Sequence, residues 1–127
     1  MNRIFLMGLS AFLLLVISSF SVYDNYPKFE WNETTHDFGE IKFNQPVSCE
    51  FEFINKGQAF LVISNVEPSC GCTVTEYTKQ PVPPNGKGIV KATYDAANPG
   101  VFNKSLTVTA NVEGGPEYLY IKGVVLK

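Results

Sequence analysis

The chain is 127 residues long, 45% hydrophobic and 17% charged, with a formal net charge of -2. That length fits one domain and excludes a multidomain enzyme. A pI of about 5.3 excludes the basic patch with which a nucleic-acid binder neutralises phosphates.

Much of the hydrophobicity lies in one block at the front. Met1-Asn2-Arg3 precedes Ile4 to Ile17, an uncharged apolar run, and then Ser18-Ser19-Phe20-Ser21-Val22. A positive start, a short apolar helix and small residues at alternate positions predict a signal peptide over 1–21, cut after Ser21. Ile4 to Phe20 is also at the low edge of a membrane-spanning length, so an uncleaved anchor is the alternative, and the only route to a membrane. No cysteine near the cut provides for a lipid anchor. Export places the rest in the periplasm, the cell envelope or the medium. Arg3 is the only arginine, and its loss leaves nine lysines against twelve acidic residues. Without arginine the domain lacks the planar fork that holds phosphates and carboxylates bidentately.

Residues 22–33 form an N-terminal extension with a first strand at Phe29 to Trp31, and residues 34–127 form the main domain. His36 to Phe43 supplies a second strand. Val47 to Asn55 alternates, with Val47, Cys49, Phe51 and Phe53 on one face and Ser48, Glu50 and Glu52 on the other, as a half-buried strand does. Asn55-Lys56-Gly57-Gln58 is a turn leading into the apolar run Phe60 to Val66. Thr78 to Gly88, with Pro81, Pro83, Pro84 and Asn85-Gly86, is an ordered loop crossing between sheets. Ile89 to Tyr94, Lys104 to Val112 and Tyr118 to Leu126 complete the strands, the last two separated by Gly114-Gly115-Pro116. No stretch after residue 21 has a 3.6-residue period. About seven short strands predict an all-β fold, an antiparallel immunoglobulin-like β-sandwich. Phe29, Trp31, Phe38, Phe43, Phe51, Phe53 and Phe60 are assigned to its core rather than to a sugar-binding platform.

Chemistry concentrates in Cys49, Cys70 and Cys72. In an oxidising compartment exposed thiols seldom stay free, and an odd number leaves at least one unpaired within the monomer. Cys70-Gly71-Cys72 sits in a turn, where Gly71 permits the bending that a bond between near neighbours needs. Such a ring gains little from chain entropy. The pair has three readings: a structural staple, a redox couple, or a soft-cation site for copper as Cu(I). Two thiols fall short of a structural zinc site. Strands 47–55 and 60–66 run back to back through a short turn, which puts Cys49 level with Asn65 and Val66 whether they pair or face each other, so Cys49 is expected to join Cys70 and Cys72 in one cluster. Lys79 is the cation nearest Cys70 in sequence, with Glu67 and Glu76 closer, an environment that does not favour a thiolate.

Other groups suggest no catalyst. His36 is the only histidine, and Asp37 beside it points to the opposite strand face, so no triad assembles. Glu50 and Glu52 share a solvated face. Asn32-Glu33-Thr34 and Asn103-Lys104-Ser105 match the glycosylation pattern, a short motif with a high chance rate.

Asp37-Phe38-Gly39-Glu40-Ile41, Phe51 to Gly57 and above all Pro68-Ser69-Cys70-Gly71-Cys72-Thr73 resemble the DUF1573 family of exported bacterial proteins. The Pro81 to Gly88 loop, Gly100 to Lys104 and Leu119 to Gly123 fit the same pattern, which covers residues 34 to 126. The resemblance implies an Ig-like fold akin to ASH and MSP-type interaction domains, and an envelope location as in Bacteroidetes. It implies no catalytic residue or cofactor; only Cys70, Gly71 and Cys72 map onto the family's hallmark. Cys49 departs from it, since a polar residue or histidine is more usual there. The function expected is binding of another envelope or secreted protein, with solvent-facing strand edges able to receive an extended segment.

The export reading makes a direct prediction: the mature protein begins at Val22. The intact mass of the protein recovered from the producing cells checks it. A full-length mass in the membrane fraction would point to the anchor.

Overall fold

The computed structural model describes residues 25–127; the signal peptide expected over 1–21 and its cleavage site lie outside them. Eight strands follow one another: β1 Phe29–Trp31, β2 Thr35–Lys42, β3 Val47–Asn55, β4 Ile63–Pro68, β5 Thr73–Tyr77, β6 Lys87–Tyr94, β7 Gly100–Ala110 and β8 Glu117–Leu126. They form two four-stranded sheets, β1-β3-β6-β5 and β2-β8-β7-β4, packed face to face as a sandwich.

Alternation decides which side chains enter. On β3, Cys49, Phe51, Phe53 and Asn55 are buried while Ser48, Glu50 and Glu52 face water. On β8, Leu119, Ile121, Gly123 and Val125 point inward. These meet Val90, Leu106, Val108 and Leu61 in one continuous core. Phe53 sits opposite Gly88, and a Cβ at that glycine would overlap its ring. The same ring takes Phe29 and Trp31 edge-on at 4.9 and 5.2 Å, a favourable aromatic geometry. β1 is thereby fastened to the first sheet.

Several sequence expectations change. The strands number eight, the addition being β5 directly after the cysteine turn. One pairing, β2 with β8, is parallel: the chain leaves the first sheet after β1 and enters the second as β2, alongside β8. The Thr78 to Gly88 segment does not cross between sheets, because β5 and β6 are neighbours in one sheet. The chain does cross from β3 to β4, which settles the open choice for those strands: they lie in different sheets. Phe60 and Phe43 are not core residues, being 57% and 38% exposed. In the Phe60 to Val66 run only Leu61, Ile63 and Val66 are buried, with Leu61 bridging Val82 from the proline-rich loop.

The β3–β4 crossing depends on Asn55, which is fully buried. Its Oδ1 accepts from the Lys28 and Gly57 amides at 3.2 and 3.0 Å. Its Nδ2 donates to the Ala59 and Val82 carbonyls at 2.8 and 2.9 Å. Every bond that a side-chain amide can make is made. A buried polar group left unpaired costs ~1–3 kcal/mol, and truncating Asn55 leaves several. Asn55→Ala is therefore expected to lower unfolding free energy by roughly 3–5 kcal/mol. Asn111, which bridges Val62 and Phe60 on the exposed side of the same crossing, should lose under about 1 kcal/mol as Asn111→Ala. Urea unfolding of the two variants tests the contrast.

Candidate functional site

The cysteine turn is the connection that carries the chain from the second sheet to the first. β4 ends at Pro68, but its ladder with β7 continues one step. The Ser69 amide donates to the Ser105 carbonyl at 2.9 Å, and the Ser105 amide donates to Ser69 Oγ at 3.1 Å. Cys70, Gly71 and Cys72 then span to Thr73, the first residue of β5. The Cys72 carbonyl accepts from the Asp95 amide at 3.0 Å, which ties the turn to the end of β6.

Cys70 and Cys72 adopt a disulfide arrangement with Cα atoms 5.3 Å apart, inside the range that such a bond spans. Gly71 has no positive φ, and a Cβ there would meet nothing within 4 Å. The bending that sequence reasoning ascribed to this glycine is not a left-handed conformation, and its outer side is open. Thr73 is only 4% exposed, with Oγ1 at 3.8 Å from Cys70 Sγ and 3.9 Å from Cys72 Sγ. Sequence reading named Thr73 only as part of the motif. Its inward position, in phase with Thr75 and Tyr77 of the following strand, was the available signal.

The three cysteines do not form one cluster. Cys49 pairs with Ala92, which in turn pairs with Thr75. Cys49 thus lies two strands across and three residues along from Cys72, roughly 14 Å at ordinary strand spacings. The reason is that β6 stands between β3 and β5, so Cys49 shares an end of the first sheet with the pair but not a neighbouring strand. Cys49 is a free, buried thiol. Among the described residues no group of three or more histidine, cysteine or acidic side chains is placed to hold a metal. Copper at Cys70 and Cys72 would rest on those two sulfurs alone.

The charges near the turn also differ from expectation. Lys79 is carried to the far end of β5, where its ammonium lies 5.9 Å from the centre of the Tyr77 ring. His36 is held by Glu33, Nδ1 to Oε1 at 2.8 Å, and lies edge-on to Phe38. Asp37 accepts from the Gly39 amide at 2.8 Å and shapes the bulge in β2. Glu50 and Glu76 flank Lys91 on a solvated face. A cleft of about 280 Å³ beside β1 is lined by Glu30, Trp31, Glu52 and Lys87 among others, and the buried Trp31 Nε1 has no hydrogen-bond partner among the described residues.

Residues 29–125 match a family described as a protein of unknown function, DUF1573. The chain belongs to the DUF1573 family. The match includes β1, ahead of the motifs that carried the resemblance. A search of curated proteins finds none that matches. Among solved structures the fold is similar to a protein of unknown function from Porphyromonas gingivalis W83, at 14% identity and a TM-score of 0.70, covering 82% of this chain and 49% of that one. The DUF1573 chain thus spans about half that protein's length. It is also similar to the ASH/PapD-like domain 7 of human CEP192, at 11% identity and a TM-score of 0.63, covering 89% and 97%. A third likeness is to the secreted serine protease VesC from Vibrio cholerae, at 12% identity and a TM-score of 0.58, covering 82% of this chain and 24% of that one. These likenesses establish an Ig-like, PapD-like fold.

Burial, and secondarily the Glu33 carboxylate, push the Cys49 thiol from 9.0 to about 11. The folded state holds this proton more tightly than the unfolded chain. Its contribution is fully present below about pH 9 and is lost as pH rises through about 11, a change on the order of 3 kcal/mol. Tyr94, raised by burial and by Asp95, acts in the same direction, so a comparison of variants is needed. Cys49→Ala is expected to flatten the loss of stability between these pH values, as read by urea unfolding. In the native wild type, Cys49 should resist iodoacetamide at pH 8 and react once unfolded.

Proposed function

We propose that this DUF1573 domain is an exported, non-catalytic module of the cell envelope that binds another exported protein. The observation that carries the reading is the outer face of the second sheet. Val101 is 84% exposed, Tyr118 51% and Tyr120 41%. Tyr118 and Tyr120 project from the same side of β8, and Val101 stands beside Val124 in the β7–β8 register. Leu126 extends the same face. Thr107 and Ser105 lie opposite the two tyrosines, and Asn103 and Lys122 stand between them and Val101, giving a surface that mixes aromatic area with polar groups. Tyrosine is enriched at protein interfaces because it joins a large apolar ring to a polar tip.

Three of the four edge strands resist strand addition, which favours a face. Val66 and Ser64 carbonyls on the β4 edge already accept from Thr75 Oγ1 and the Tyr77 hydroxyl, at 3.1 and 3.3 Å. β2 carries a bulge at Gly39, and β1 has three residues. Bulged or very short edges resist pairing with another chain.

A photo-crosslinking residue placed at Tyr118 or Tyr120 in the producing cells is expected to give discrete protein adducts. The same residue at Glu50, on the opposite sheet, should give none. An identical pattern at all three positions, or no adduct at either tyrosine, would defeat the proposal.

A further inference from the structure

The environment of the sulfur pair has features that a simple staple does not need. Thr73 is buried, and among the described residues its hydroxyl contacts only Cys70 Sγ and Cys72 Sγ, at 3.8 and 3.9 Å. Sulfur in a disulfide is a weak acceptor, whereas a thiolate accepts a stronger, charge-assisted bond. The Thr73 hydroxyl is therefore served better when one of the two sulfurs carries charge. Both cysteines are partly buried, but Gly71 leaves open space beside the pair, and an incoming sulfur can approach from that side. The turn is also anchored without the bond between the sulfurs. Ser69 and Ser105 hold one side, and the Asp95 amide holds the Cys72 carbonyl on the other.

We infer that Cys70 and Cys72 are a reversible thiol–disulfide exchange site for a protein dithiol, with the Thr73 hydroxyl stabilising the departing thiolate. A thiolate of the reductant, its proton given up to solvent, attacks one Sγ of the pair. The bond between Cys70 and Cys72 breaks, and its electron pair goes to the other Sγ. That sulfur leaves as a thiolate, accepts from Thr73 Oγ1 and then takes a proton from solvent. The reductant's second thiol loses its proton and attacks the reductant's own sulfur in the mixed disulfide. The protein's remaining sulfur departs and is protonated. Two electrons and two protons have passed to the pair, and the reductant's dithiol has become a disulfide. Cys49 takes no part, since it is buried two strands away across the first sheet, with β6 between. This inference stands whether or not the tyrosine face binds a partner.

The test uses the mature protein with dithiothreitol as the dithiol probe and glutathione disulfide for reoxidation. Acid quenching, alkylation and mass measurement count the thiols, while circular dichroism monitors the fold. Native protein should gain two labels without Cys49 reacting, and should lose both thiols again in glutathione disulfide. Thr73→Val is expected to slow reduction by about tenfold, the scale of one hydrogen bond to a charged group, and Thr73→Ser to restore the rate. Where T73V does not fold, the pH dependence of alkylation in C70S and C72S supplies the second readout. A remaining thiol that ionises below the ordinary range of about 8.5 supports the site; thiols at or above that range overturn it. Labelling of the pair only in urea, together with Cys49, would also overturn it, as would a T73V rate equal to wild type. Retention of Cu(I) by the reduced pair, with no reoxidation by glutathione disulfide, would assign the sulfurs to metal handling instead.

Discussion

Asn55 is the constraint around which this sandwich closes. It stands at the end of β3, where the chain must leave one sheet for the other, and backbone groups at a crossing lose the partners that a ladder supplies. The buried side chain replaces them. One amide plane reaches Lys28 before β1, Gly57 and Ala59 in the crossing itself, and Val82 in the proline-rich loop. The main chain of Asn55 adds bonds to the Gly86 carbonyl and from the Asn85 amide. Three segments distant in sequence are therefore fixed by one residue. Gly57 is the steric counterpart, since a Cβ there would overlap the Tyr26 carbonyl and push away the segment that Asn55 holds.

This device matters because the topology relies on crossings. Five of the seven connections pass between sheets; only β5–β6 and β7–β8 return within one. Four of these five crossings are anchored by the bonds that follow. Asn55 and Asn111 grip the β3–β4 segment from opposite sheets. The cysteine turn is held by the Ser69–Ser105 pair and the Asp95 amide. The β6–β7 connection contains Ala96, at φ 56, whose carbonyl accepts from Asn44 in the β2–β3 turn at 2.8 Å. Backbone strain at Ala96 is tolerated where a neighbouring crossing is fastened to it.

What the sequence disclosed follows from the range of each signal. Alternation is a local report of burial, and β3, β7 and β8 were legible from it. It says nothing about which strand lies alongside, so the parallel β2–β8 pairing and the position of Cys49 were hidden. Apolar content misplaced Phe60 and Phe43, because a crossing segment exposes side chains that a strand would bury. Asn55 looked like an ordinary turn residue: two of its partners, Lys28 and Val82, are each 27 positions away. The Cys-Gly-Cys run stood out at once as composition. Thr73, which gives that run its chemical setting, stood out only when burial put its hydroxyl against both sulfurs.

The edges show how the two candidate surfaces remain separate. Thr75 and Tyr77 project from β5 to take carbonyls of β4, drawing together the two sheets just beyond the cysteine turn. These bonds close the β4 edge and also brace the turn from below. Opening the bond between Cys70 and Cys72 would therefore not unzip the sandwich there. The Tyr118 and Tyr120 side chains lie on the outer face of the second sheet, with β7 between β8 and the β4 edge. Were the sulfurs to change oxidation state, the bonds of Ser69, Asp95, Thr75 and Tyr77 would still hold the segments on either side of the turn. Chemistry at the crossing and contact at the face can thus operate on one small domain without either depending on distortion of the other.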